Sequence, residues 1–168
     1  ASLFHLTTHA FFKAALFLNS GIIIHAMHRG LHHMQYMGHV DAQDIRNMGG
    51  LRKTMPLTFY TYLVAAAALA GIPLLSGFLS KDAILSVAWA WAQTMSASGN
   101  SLYFAVPVMG FIVVVLTAFY MTRHMWFMFF GNFRAPFDVY QLRFSHKQET
   151  ERVMLVPVVV LAILSLGI

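Results

Sequence analysis

The 168-residue chain is 58% hydrophobic and only 10% charged, against roughly 45–50% apolar content in soluble domains, so it reads as a membrane protein. With no cysteine, it has no disulfide framework, no thiolate metal site and no cysteine-ligated iron–sulfur cluster. Its formal charge of +5 fits basic loops on one side of a membrane better than a nucleic-acid surface.

The first apolar segment is predicted over about residues 1–27. No signal peptide precedes it and both chain ends fall within apolar helical sequence, so an interior piece of a longer membrane protein is expected. The segment opens with His5, His9 and Lys13. On an α-helix, steps of four advance about 400°, which keeps the three on one face. The row covers about 12 Å along the axis at 1.5 Å per residue. A charged side chain at bilayer depth costs roughly 2.5 kcal/mol or more and is kept where it lines a polar path. Either histidine alone would read as a hydrogen-bonded interior side chain. Their shared register with Lys13 predicts a proton relay, with Thr8 as an auxiliary on the same turn.

The loop predicted over residues 28–56 sets Arg29, Arg46, Arg52 and Lys53 against Asp41 and Asp44, and the stretch 25–39 holds His25, His28, His32, His33 and His39. Histidine-rich loops can gather zinc. The first four histidines have no carboxylate or cysteine among them, so a solvated polar cap is the better reading and no metal site is expected.

The second segment, about residues 57–91, is too long for one straight span of ~20 residues. It is interrupted over Gly71–Gly77, where Pro73 removes a donor between two glycines. Such breaks at membrane depth belong where protein or a water-filled cavity satisfies the freed backbone. Ser80 is expected to cap the second half-helix, with Asp82 in its first turn and Lys81 as a switchable proton carrier. A snorkelling lysine is the plainer alternative.

An uncharged connection, residues 93–101, leads to a third segment over about 102–130. Its Met-rich and aromatic end is ordinary packing or lipid-facing surface. Arg123 is expected to snorkel, and His124 is a weaker candidate for the relay. The connection 131–152 is basic again, and a fourth segment starts at Val153. If the second segment crosses once, both basic loops share a side, the cytoplasm or matrix. The expected fold is therefore all-α: one polytopic transmembrane helix bundle over 1–168, with four membrane segments, the second broken at Gly71–Gly77. No Walker motif or glycine-rich dinucleotide turn appears, so nothing here would bind NADH, ATP or flavin.

Three stretches occur in order: His5-Leu6-Thr7-Thr8-His9-Ala10-Phe11-Phe12-Lys13-Ala14, Gln43-Asp44-Ile45-Arg46-Asn47-Met48-Gly49-Gly50-Leu51-Arg52-Lys53 and Ala70-Gly71-Ile72-Pro73-Leu74-Leu75-Ser76-Gly77-Phe78-Leu79-Ser80-Lys81-Asp82-Ala83-Ile84-Leu85. Together they closely resemble the distal, largest antiporter-like subunits of respiratory complex I (NADH:quinone oxidoreductase), over about residues 4–87. The resemblance implies a proton-translocating half-channel in the membrane arm, with no redox chemistry of its own. It maps the relay to His5, His9 and Lys13, the terminal site near the exit to Lys81, and an acid of less defined role to Asp82. It implies other membrane-arm subunits and lipids as partners, with NADH, FMN, iron–sulfur clusters and quinone on partner subunits. The location implied is a bacterial inner or mitochondrial inner membrane. The carboxylate–lysine pair of the uptake half would lie upstream of residue 1, and a long lateral helix downstream of residue 168. Three alternatives stay open: a monovalent cation/proton antiporter subunit of the Mrp type, a metal transporter or sensor using the histidine loop, and a structural membrane anchor.

Overall fold

The computed structural model describes residues 2–33, 40–97, 99–135 and 149–166, giving only the backbone at residues 33 and 149–152. Among the described residues there is no strand. Five α-helices follow one another: α1 Ser2–His33, α2 Pro56–Ala70, α3 Ser76–Ser96, α4 Ala105–Phe129 and α5 Glu149–Leu164. Short 3₁₀ turns sit at Ile45–Asn47 and Ser101–Phe104. Two stretches, Ser2–His32 and Ser101–Phe129, are long and apolar enough to cross a membrane.

The first helix outruns its predicted end. It continues through Gly30 to His33, since one interior glycine costs a helix only about 1 kcal/mol. His25, His28 and His32 therefore stand on helix rather than in a loop; His39 and the His33 side chain lie outside the described residues.

Pro56 occupies the first turn of α2, where its missing N–H costs nothing. Gly71 ends that helix in a left-handed conformation, φ 82°, its N–H donating to the Ala67 and Ala68 carbonyls. Only glycine takes this conformation without strain. The chain restarts as α3 at Ser76, so the interruption is shorter than Gly71–Gly77. The break itself includes Leu74 at φ 75°.

That restart corrects the expected capping. α3 begins four residues before Ser80, its N-cap is Leu75, and no acid lies in its first turn. Ser80 instead donates back to the Gly77 carbonyl, 3.2 Å away, and Asp82 stands exposed in the second turn.

At the centre of the bundle, α1 packs on α2, α3 and α5, while α2 also meets α4 and α5. Phe12, Ile22, Ile23 and Met27 of α1 are fully buried against Phe59 and Ala65 of α2 and Met128 and Phe129 of α4. The alanines of α2, Ala65, Ala66 and Ala68, are buried too. Small side chains there let backbones approach closely, as membrane packing requires.

The segment between α1 and α2 is held by main chain. The N–H groups of Gly50, Leu51 and Arg52 donate to the carbonyls of Phe130, Met128 and Phe129, at 3.2, 3.4 and 3.3 Å. Arg134 adds bonds from Nε to the Met48 carbonyl (2.7 Å) and from a terminal nitrogen to the Phe127 carbonyl (2.8 Å). The Arg52 guanidinium lies over the rings of Phe59 and Phe130. The start of α2 is thus fastened to the end of α4.

Candidate functional site

Helical spacing keeps His5, His9 and Lys13 on one face of α1, and each is half-buried. The His5 and His9 rings stand 5.7 Å apart between centroids, and the His9 ring meets Phe12 edge-on at 5.1 Å. His5 Nδ1 shares a 2.8 Å hydrogen bond with Ser80 Oγ. This bond joins the α1 row to the second turn of α3, just beyond the break. Ser80 is fully buried.

Lys81, the next residue, folds back across the end of α2. Its ammonium donates to the Leu69 carbonyl, and a Cβ added to Gly71 would lie 3.3 Å from its Cδ. Its charge thus meets the carbonyl end of α2, a favourable placement. Thr8 is buried, its hydroxyl donating to the Phe4 and His5 carbonyls within α1. Asp82 faces outward, and among the described residues no ion pair involves it.

At the other end of the row Lys13 reaches an open cavity of about 170 Å³, which it lines with Ser20, Tyr62, Tyr120 and His124. His124 Nδ1 shares a 2.7 Å hydrogen bond with the Tyr62 hydroxyl, and the two rings stack at an interplanar angle of 21°. Sequence reasoning named His124 but missed Tyr62 and Ser20. Ser20 stands seven residues after Lys13, two helical turns along the same face, and that register was the available signal. Nothing in the sequence pairs Tyr62 with His124, since the contact joins α2 to α4.

Nearby, Asn19 is fully buried and bonded on both sides. Its amide donates to the Ala15 carbonyl at 2.9 Å, and its oxygen accepts from the Thr61 hydroxyl at 2.9 Å. This polar pair locks α1 to α2 beside the row. Among the described residues no three potential metal ligands come together.

A profile of the NADH:quinone oxidoreductase/Mrp antiporter transmembrane family matches residues 1–104. The chain belongs to this family. It is 47% identical over 135 residues to the NAD(P)H-quinone oxidoreductase subunit 5 of the Paulinella chromatophora organellar chromatophore, covering 80% of this chain and 18% of that one. It is 38% identical over 171 residues to NADH-ubiquinone oxidoreductase chain 5 of Dictyostelium citrinum, covering 100% of this chain and 22% of that one. It is also 40% identical over 164 residues to NADH-quinone oxidoreductase subunit L of Mycobacterium tuberculosis, covering 96% and 22%. The chain spans about a fifth of the length of the curated relatives it matches. It is thus a membrane protein similar to part of a complex I subunit, and its match takes in the α1 row and the whole broken region.

Proposed function

We propose that this chain carries protons across the membrane as part of the distal antiporter-like subunit of NADH:quinone oxidoreductase. The observation that carries the reading is the His5–Ser80 hydrogen bond, which makes the titratable row of α1 continuous with the break between α2 and α3. Lys13, His9 and His5 form the row, Ser80 links it, and Lys81 is the site at the break. Thr8 stiffens the turn between the histidines, and Asp82 is an auxiliary charge on the outer face.

The mechanism is electrostatic. Imidazole is the side chain suited to load and release a proton in a relay, and His5 and His9 place two of them side by side. Two unit charges 5.7 Å apart repel by about 3 kcal/mol at an effective dielectric of 20. A proton on one histidine therefore disfavours a second on its neighbour by more than about a hundredfold. Loading one end of the row expels charge from the other.

In this reading α2 and α3 together form one broken membrane segment, the second of four with α1, α4 and α5. The segment between α1 and α2 and the connection 131–152 face the cytoplasm or the matrix of a bacterial or mitochondrial inner membrane. The chain performs no redox step. With no cysteine to ligate a cluster, it leaves NADH, FMN, iron–sulfur clusters and quinone to partner subunits, and its own partners are neighbouring membrane-arm subunits and lipid. Its similarity to quinone oxidoreductase subunits favours this over an Mrp-type antiporter, and copurification with flavin- and iron–sulfur-bearing subunits distinguishes the two.

The test is Lys13→Ala and Lys81→Ala in the full-length subunit within the assembled complex, with proton pumping followed in membrane vesicles. Each substitution is expected to abolish most of the pumping that this subunit contributes. Unchanged pumping in both variants would reduce the chain to a structural anchor.

A further inference from the structure

The geometry points to a proton branch that leaves the α1 row at Lys13 and runs through the Tyr62 hydroxyl to His124, towards the side of the membrane where α4 ends. It rests on the relay reading above and gives that relay a second terminus.

The observations are independent of those that suggested the row. Lys13 and His124 line one cavity, on helices α1 and α4, and Tyr62 of α2 lines it too, its hydroxyl hydrogen-bonded to His124. At about 30 Å³ per water, the cavity has room for about six molecules. Ser20 and Tyr120 add two more hydroxyls to its lining, which gives such waters the polar partners they need. The 2.7 Å contact and the stacked rings hold Tyr62 and His124 in one relative geometry.

The step needs no net chemistry. When His124 Nδ1 lacks a proton, the Tyr62 hydroxyl donates to it. The Lys13 ammonium gives a proton to a cavity water, which passes one on to the tyrosine oxygen as the hydroxyl's own proton moves to Nδ1, so Lys13 ends as the neutral amine, the water and Tyr62 end neutral, and His124 ends as imidazolium. Release from the second ring nitrogen returns the pair to its starting charge. His124 lies five residues before Phe129, the last residue of α4, or about 8 Å along the axis. It is therefore near the helix end that the 50–52 segment covers.

The test uses Tyr62→Phe and His124→Gln in the full-length subunit of the assembled complex. The first keeps the stacked ring without its hydroxyl; the second keeps an amide for hydrogen bonding but cannot carry charge. Removing a proton-transfer group slows its step by about a hundredfold or more. Pumping per assembled complex is expected to fall in both variants, and the residual rate to slow further in D₂O because proton movement has become limiting. A fall without the added isotope effect marks a packing defect and overturns the branch. Normal pumping in either variant, with Lys13→Ala inactive, also overturns it and leaves the row intact. Normal pumping in Lys13→Ala overturns the row and the branch together.

Discussion

Gly77→Ala tests whether the contact between α2 and α3 sets the relay geometry. A methyl group added at Gly77 would overlap the Ala68 carbonyl oxygen and lie 2.8 Å from its carbonyl carbon. Non-bonded carbons settle about 3.5–4.0 Å apart, so the start of α3 must retreat from α2 by about 1 Å. The obstacle is backbone at the last turn of α2, whose Ala68 carbonyl also accepts from Gly71, so it has little freedom to yield. Forced overpacking of this kind costs about 1–3 kcal/mol. Ser80 lies one turn further along α3, 2.8 Å from His5, and a retreat of that size takes it past the roughly 3.2 Å limit of a sound hydrogen bond. The expected result is a complex that assembles with a lowered Tm and loses proton pumping, while quinone reduction by the partner subunits persists or falls in step. Differential scanning of the purified complex and vesicle acidification measure the two effects. A Gly77→Ala complex with unchanged Tm and full pumping would refute both the tight contact and the role of the Ser80 link.

Thr61→Val should destabilise the complex by about 1–2 kcal/mol, because it strands the Asn19 oxygen in the α1–α2 contact. Asn19→Leu together with Thr61→Val is expected to cost less than the two single changes added, since no unpaired polar group remains; additive losses in Tm would contradict this. In the 44–47 turn, the Arg46 side chain and N–H both donate to Asp44, which holds the Asp44 carboxyl below its ordinary range. A depressed folded-state value means that the turn's stabilisation is present above the ordinary carboxylate value, about 3.9, and is lost as pH falls through the lower folded value. A carbon-13 titration of the Asp44 carboxyl should show that low midpoint and, with Arg46→Ala, its return to the ordinary range. An unmoved midpoint would argue against the pair.

Much of the site was legible because it depended on helical register. His5, His9 and Lys13 share a face by spacing alone, and the glycines around Pro73 announced an interruption. The exact restart was not legible. Ser80 and Asp82 look like an N-terminus, but the tight approach of Gly77 to Ala68 starts α3 a turn earlier, which turns Ser80 inward to His5. The Tyr62–His124 pair and the Asn19–Thr61 pair were hidden for a different reason: each joins two helices whose relative rotation no local pattern fixes. The docking of residues 50–52 on 128–130 runs through main-chain groups, which carry no side-chain signature at all. Register suggested the relay and the break suggested Lys81 as a proton carrier; the family resemblance added the expectation that Lys81 stands near the exit.

The main-chain fastening between residues 50–52 and the end of α4 has a mechanical consequence. It couples α2 to α4 at one end, whereas α3 meets α2 through the unwound link at residues 71–75, the Gly77–Ala68 approach and the Lys81 bond to the Leu69 carbonyl. A swing of α3 would then separate Ser80 from His5 while Tyr62 and His124, carried on the two fastened helices, keep their spacing. The Tyr62–His124 contact is thus braced by main-chain bonds beside it, whereas the His5–Ser80 contact is one between side chains.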